Sequence, residues 1–97
     1  MAQRRLSRQI QPVSGPEKAF GQALREIRKS RRLSQEQLAF DGGFDRTYVS
    51  LIERGIRSPT IRTVVKLAAV LKVSPSEIIR RMEAFLVKGW KQSKMPH

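Results

Sequence analysis

The chain has 97 residues, of which 39% are hydrophobic and 6% aromatic, a composition that supports one domain with a largely aliphatic core. It has no cysteine, which excludes disulfides, thiolate nucleophiles and Cys-ligated zinc, and its one histidine, His97, ends the chain and reads as solvated. Twenty Lys and Arg against eight Asp and Glu give a net charge of +12, which attracts polyanions: nucleic acid first, anionic membrane second.

Residues 1–16 carry Arg4, Arg5 and Arg8 with no acid, and Pro12, Gly15 and Pro16 interrupt any long helix. The segment reads as a flexible basic arm, either a solubilising tail or a strand laid along phosphates or in a minor groove. No apolar stretch follows its basic residues as in a secretory signal, and no run approaches the roughly 20 apolar residues of a membrane span. The expectation is a cytoplasmic protein with no membrane association. Residues 88–97 carry three further Lys and no acid, so +6 remains on 17–87 and the folded part is itself basic.

Phe20, Leu24 and Ile27 fall at i, i+4 and i+7, which predicts a first helix from about Glu17 to Arg31. Arg31 and Arg32 at its end read as solvated or as phosphate contacts. Ser34-Gln35-Glu36-Gln37 matches a capping box and opens a short second helix with Leu38 and Ala39 inward, closed by Gly42-Gly43. Asp45 is placed to cap a third helix, Arg46 to Arg54, with Val49 and Ile52 buried and Gly55 terminating it. Ser58-Pro59-Thr60 precedes a fourth helix whose Ile61, Val64, Leu67, Ala68 and Leu71 have helical spacing and read as core.

Ser74-Pro75-Ser76-Glu77 is a second capping box and starts a fifth helix over about 75–88, followed by a basic tail over 89–97. Ile78, Met82 and Phe85 form one row of that helix, with Ile79 and Leu86 on an adjoining flank. Either it packs deeply or part of it forms a subunit surface. No segment alternates with period two. The predicted fold class is all-α, a compact five-helix domain over 17–88 with flexible basic termini.

Two short helices joined by a Gly-containing turn, the second capped and polar outside, meet the requirements of a helix-turn-helix over about 34–54. Phe44 is read as inward, whereas Gln35, Arg46, Thr47, Tyr48, Ser50 and Leu51 are read as outward. Leu33 to Ala39 (LSQEQLA), Gly43, Arg46 to Ser50 (RTYVS) and Ile52 to Gly55 (IERG) resemble the phage Cro/repressor-type (XRE) helix-turn-helix family, which implies a lambda-repressor-like fold. The stretch RTYVSLIERGIRSPT is especially similar to the controller proteins of restriction-modification systems, and the resemblance covers roughly residues 17–80.

By that resemblance Arg46, Thr47 and Ser50 contact bases; Arg46 suits the O6 and N7 of guanine, and Thr47 offers a hydroxyl and a methyl. Gln35, Tyr48, Arg54 and Arg57 contact phosphates or the groove edge. Arg28 and Glu53 form an internal salt bridge that positions the recognition helix. Leu51 has two open readings, a thymine methyl or a neighbouring protein group. The resemblance also implies a homodimer, with Ile78, Met82, Phe85 and Leu86 at its interface, acting on a near-palindromic operator in double-stranded DNA.

No catalytic constellation, metal site or cofactor is expected, and no small-molecule ligand. The reading is a transcriptional regulator. Two alternatives remain open: the antitoxin of a toxin–antitoxin pair using the same motif, and a protein-interaction adaptor that does not read DNA.

Overall fold

The computed structural model describes residues 15–86, in which five helices follow one another without a strand. They are α1 (Pro16–Ser30), α2 (Gln35–Gly42), α3 (Arg46–Glu53), α4 (Ile61–Leu71) and α5 (Pro75–Phe85). The all-α, five-helix expectation is met. The arm over 1–14 and the tail from 87 onward, including the last two residues expected for the fifth helix, lie outside the described residues.

Helix ends follow local chemistry. Pro16 is not a breaker but the first residue of α1, where its fixed φ and missing N–H suit the helix. Ser34 accepts the N–H of Gln37 at 2.9 Å, and Ser74 accepts that of Glu77 at 3.2 Å. Neither box is reciprocal: the Gln37 side chain reaches Asp41, and Glu77 pairs with Arg80 and Arg81. Asp45 has the extended backbone of an N-cap, but its carboxylate makes no capping bond. Thr60, by contrast, caps α4 by accepting the N–H of Thr63 at 3.1 Å.

Gly43 ends α2 in the left-handed region at φ +74°, which gives the turn before the third helix its sharpness. Phe44 N–H then returns to the Ala39 carbonyl at 2.8 Å and closes the motif.

The core gathers from every helix. Leu24, Leu38, Val49, Ile52, Leu67, Leu71 and Ile78 are all fully buried, and of the aromatic residues only Phe20 is buried among those described. It is the aliphatic core that the composition implied. Helix α1 packs against α5 and α3, α2 packs against α3 and α4, and α4 touches α5. The contact of α1 with α3 is close enough to require Gly21. A Cβ there would run into the carbonyl oxygens of Ile52, at 2.5 Å, and of Glu53.

Three expectations change. Ile61 is 81% exposed, because it opens α4 and falls beyond the edge of the core although it keeps helical spacing with Ala68. Helix α5 ends at Phe85, with Leu86 as its half-buried cap residue. Ile78 is at 0% exposure within this single chain, so it belongs to the core and not to a subunit surface. Met82 and Phe85 are half-buried and lean on the same core. The row Ile78–Met82–Phe85 is therefore the inward face of α5, and Ile79, at 39% exposure, marks the outward one.

Candidate nucleic-acid interface

The recognition helix is held by a buried polar network. Arg28 on α1 is 8% exposed, as is Glu53 on α3. The Arg28 guanidinium donates from Nε to Glu53 Oε2 at 2.7 Å and from Nη2 to Glu53 Oε1 at 3.0 Å. Its Nη1 donates to the Leu33 carbonyl at 2.8 Å, in the turn before α2. Gln35 Nε2 completes the set by donating to Glu53 Oε1 at 3.0 Å. One carboxylate thus ties together the end of α3, the last turn of α1 and the start of α2. No described buried side-chain polar atom lacks a partner, which is the condition under which a buried ion pair fixes geometry rather than weakening the fold.

This refines the role of Gln35. Its amide is committed to Glu53 by one N–H, which leaves the second N–H directed elsewhere at the positive end of α2. The side chain is half-buried and preorganised, not freely solvated.

On the outer side of α3, Arg46, Thr47 and Ser50 line one open recess of about 150 Å³. Arg46 and Thr47 are exposed, and Ser50 is half-buried. The residues expected to read bases are thus brought together on one surface, one turn apart. Arg54 is exposed just past the end of α3. Leu51 is half-buried on the same helix.

Tyr48 differs from its outward reading. Its ring is half-buried against the core, 5.7 Å from the ring of Phe44, and its hydroxyl lies 3.1 Å from Thr63 Oγ1. Thr63 in turn accepts a bond from the Thr60 hydroxyl at the start of α4. The guanidinium of Arg57 sits over the outer face of the Tyr48 ring, 5.4 Å from its centroid. Tyr48 is the platform and Arg57 the presented group. A similar pairing sets Lys66 5.3 Å from the centroid of Phe44. Nothing in the local sequence spacing signals the Tyr48–Thr63 link, because it joins residues of different helices.

A helix pair whose second member is polar outside, whose turn is closed by a glycine and whose frame is locked by an arginine–glutamate pair is thus in place. The helix-turn-helix family model matches residues 24–78, more than half of the chain. The chain belongs to the XRE-type helix-turn-helix family. It is 43% identical over 61 residues to the control protein C.BamHI of Bacillus amyloliquefaciens, a match that spans 62% of this chain and 75% of that protein. The crystal structure of the restriction-modification controller protein C.AhdI from Aeromonas hydrophila superposes with a TM-score of 0.62 at 48% identity, covering 63% of this chain and 92% of that one.

The controller protein C.Esp1396I, solved as a tetramer with its natural 35 base-pair operator, gives a TM-score of 0.67 at 30% identity, covering 73% of this chain and 93% of that one. A further relative, 36% identical over 60 residues, is the HTH-type transcriptional regulator SlrR of Bacillus subtilis, a match that spans 61% of this chain and 40% of that protein. Among the described residues of this chain, no helix is long and apolar enough to cross a membrane.

Proposed function

We propose that the chain is a sequence-specific regulator of transcription that binds double-stranded DNA as a homodimer on a near-palindromic operator. The observation that carries this reading is the convergence of Arg46, Thr47 and Ser50 on one exposed recess of a helix whose frame is fixed by Arg28, Glu53 and Gln35. In the proposed complex the start of α3 enters the major groove, where the Arg46 fork engages a guanine and Thr47 a thymine. The free N–H of Gln35, together with Arg54 and Arg57, holds phosphates and sets the register. The C.Esp1396I–operator complex supports DNA as the partner of this fold at 30% identity.

The subunit surface moves from the inward row of α5 to a different apolar face. Ile61 and Val65, at 81% and 51% exposure, lie one turn apart on α4. A small recess lined by Pro59, Val64, Ile79 and Met82 marks where apolar groups of α4 and α5 come together. A two-fold contact across this face buries it and presents two recognition helices about 34 Å apart, one turn of DNA.

Selection of bound duplexes from a random pool tests the reading as a whole. The expected product is a pair of inverted half-sites. Arg46→Ala is expected to relax the preference at one base pair per half-site, with a loss of about 1–3 kcal/mol in discrimination. Unchanged discrimination with Arg46→Ala defeats the assignment, and a pool with no enriched sequence defeats sequence-specific reading altogether.

A further inference from the structure

A groove of about 670 Å³ runs between the outer face of α1 and the turn after α3, and it shares no lining residue with the Arg46 recess. Lys18, Arg25 and Lys29 line it from α1, and Arg54 from the end of α3; all four are exposed. Two carboxylates also line it, but both are engaged: Glu26 with Arg81 at 2.9 Å, and Glu53 with Arg28. None of the four cations has an ion-pair partner among the described residues. Like charges grouped on one concave surface raise its potential and call for an anion.

The shape of the groove and its place in the fold say which anion. Lys18, Arg25 and Lys29 fall at i, i+7 and i+11, which lays them in a row about 16 Å long at 1.5 Å per residue. One strand of a duplex carries about five phosphates over that length, at 3.4 Å of axial rise each. Gly55 seats the turn after α3 directly on α1: a Cβ there would lie 2.5 Å from Cγ of Lys18 and 2.9 Å from its Cα. The wall of the groove is thus set by backbone packing. Its floor carries Glu53, the carboxylate that also holds Gln35 at the start of α2. Arg54 belongs both to the groove and to the phosphate-holding set proposed above. The groove therefore opens beside the phosphate anchors. Ile56, 58% exposed, adds apolar surface next to Arg54 that suits a deoxyribose between two phosphates.

We infer that this groove is a second DNA-backbone site, which grips the duplex just outside the stretch read by Arg46, Thr47 and Ser50. The inference rests on the DNA-binding reading of α3 and adds a ligand that reading does not use: flanking phosphates of any sequence. Arg25 and Arg54 bring forks that can take two phosphate oxygens, and Lys18 and Lys29 bring point charges on flexible stems. Contacts to the backbone carry no base information. The groove therefore supplies affinity without discrimination, because counterions leave operator and random DNA alike when phosphates are neutralised. An operator stripped of its flanks is then bound more weakly than the same operator within longer DNA, with the sequence preference unaltered. An acidic peptide would meet the same charges, but it would make no use of Arg54 standing among the phosphate anchors.

The full chain and its variant Lys18→Gln with Arg25→Gln and Lys29→Gln, compared across a salt series, test the site. The three side chains are exposed, so thermal unfolding is expected to be unchanged. Three duplexes serve as probes. One is the operator selected from a random pool and cut at its last selected base pair. Another is that operator extended on each side by one helical turn, about 10 base pairs, of random sequence. The third is a random-sequence duplex of the longer length. The unaltered chain is expected to bind the extended operator about tenfold or more tighter than the cut one, an advantage the variant loses. On both longer duplexes the slope of log affinity against log salt becomes shallower by about 2–3 per subunit, and the ratio of operator to random binding stays the same. Equal salt slopes for the two proteins overturn the proposal. So does a variant that loses the operator-to-random ratio, since the groove then takes part in reading sequence. DNA binding left intact while binding to poly-glutamate is lost also overturns it, and gives the groove to an acidic peptide. On the random duplex the slope difference persists even where α3 selects no sequence, so the groove and the reading of bases fail separately.

Discussion

The two halves of the domain are held together by different physics. In α1 to α3, the half that carries the recognition helix, the joining element is one buried carboxylate on which three donors converge. The ion pairs of α5, one of which reaches back to α1, lie in solvent: Arg80–Glu77 at 2.7 Å, Arg81–Glu77 at 3.4 Å and Arg81–Glu26 at 2.9 Å, each with at least one partner 41% exposed or more. The half made of α4 and α5 also carries apolar groups on its outside. A buried, fully satisfied network fixes angle and distance, which a base-reading helix needs. Exposed pairs and exposed aliphatic groups leave geometry to packing and to whatever covers them.

The comparison breaks most visibly at Arg28. Arg28→Ala leaves Glu53 charged and buried, and the expected cost is about 3–5 kcal/mol, a large part of the total stability of a small domain. Arg81→Ala removes two exposed pairs and is expected to cost about 0.2–1 kcal/mol. Urea unfolding of both variants measures the contrast; equal losses erase the distinction between the halves. A double variant, Arg28→Met with Glu53→Leu, separates folding from positioning. It is expected to recover much of the stability, as apolar replacements of buried pairs do, while DNA discrimination stays impaired because Gln35 and the Leu33 carbonyl have lost their partners.

Gly21→Ala comes next. The added methyl meets backbone carbonyls at the end of α3, and backbone cannot swing away as a side chain does. A loss of about 1–3 kcal/mol is expected, with α3 displaced relative to α1. Affinity for DNA should fall by more than thermal stability alone explains, measured at a temperature where the variant is fully folded.

Ile61→Ser with Val65→Ser probes the other half. Both side chains are largely in solvent in the single chain, so the stability of one subunit should change by no more than about 0.5 kcal/mol. Sedimentation is expected to show loss of the dimer, and DNA affinity to fall with it. A variant that remains dimeric moves the subunit surface elsewhere.

Much of this was legible in the residues. The caps at Ser34 and Ser74, the left-handed glycine after α2 and the Arg28–Glu53 pair each depend on local chemistry or on a resemblance that spans the motif. The direction of side chains across helices was less legible. Ile78 and Ile79 are adjacent and chemically alike, and only the packing of α5 on α1 decides which is core. Tyr48 carries a polar tip that suits a groove edge, yet Thr63, from another helix, turns it inward. Ile61 keeps helical spacing with Val64 and Leu67 but falls in the first turn, beyond the edge of the core. Gly21 gave no signal because its neighbours read as an ordinary helix; its requirement arises from a chain crossing that periodicity does not encode.

The smallest expected effect lies at the end of α4, where the backbone is strained. Helix α4 ends on Lys72, which adopts φ +60° and ψ +43° in the left-handed region without being glycine. The Cβ of an L-residue there costs roughly 1–2 kcal/mol. Glycine removes that cost but adds roughly 0.5–1 kcal/mol of chain entropy lost on folding. The Lys72 carbonyl, which accepts a 3.4 Å bond from Arg31, is kept either way. Lys72→Gly should therefore stabilise the domain by about 0.5–1 kcal/mol, a rise in Tm of roughly 2–8 °C for a domain of this size. Arg32, between α1 and α2, shares the left-handed conformation at φ +60°, so glycine there is expected to act in the same direction. A fall in Tm for Lys72→Gly means that the lysine side chain makes a contribution larger than its backbone strain.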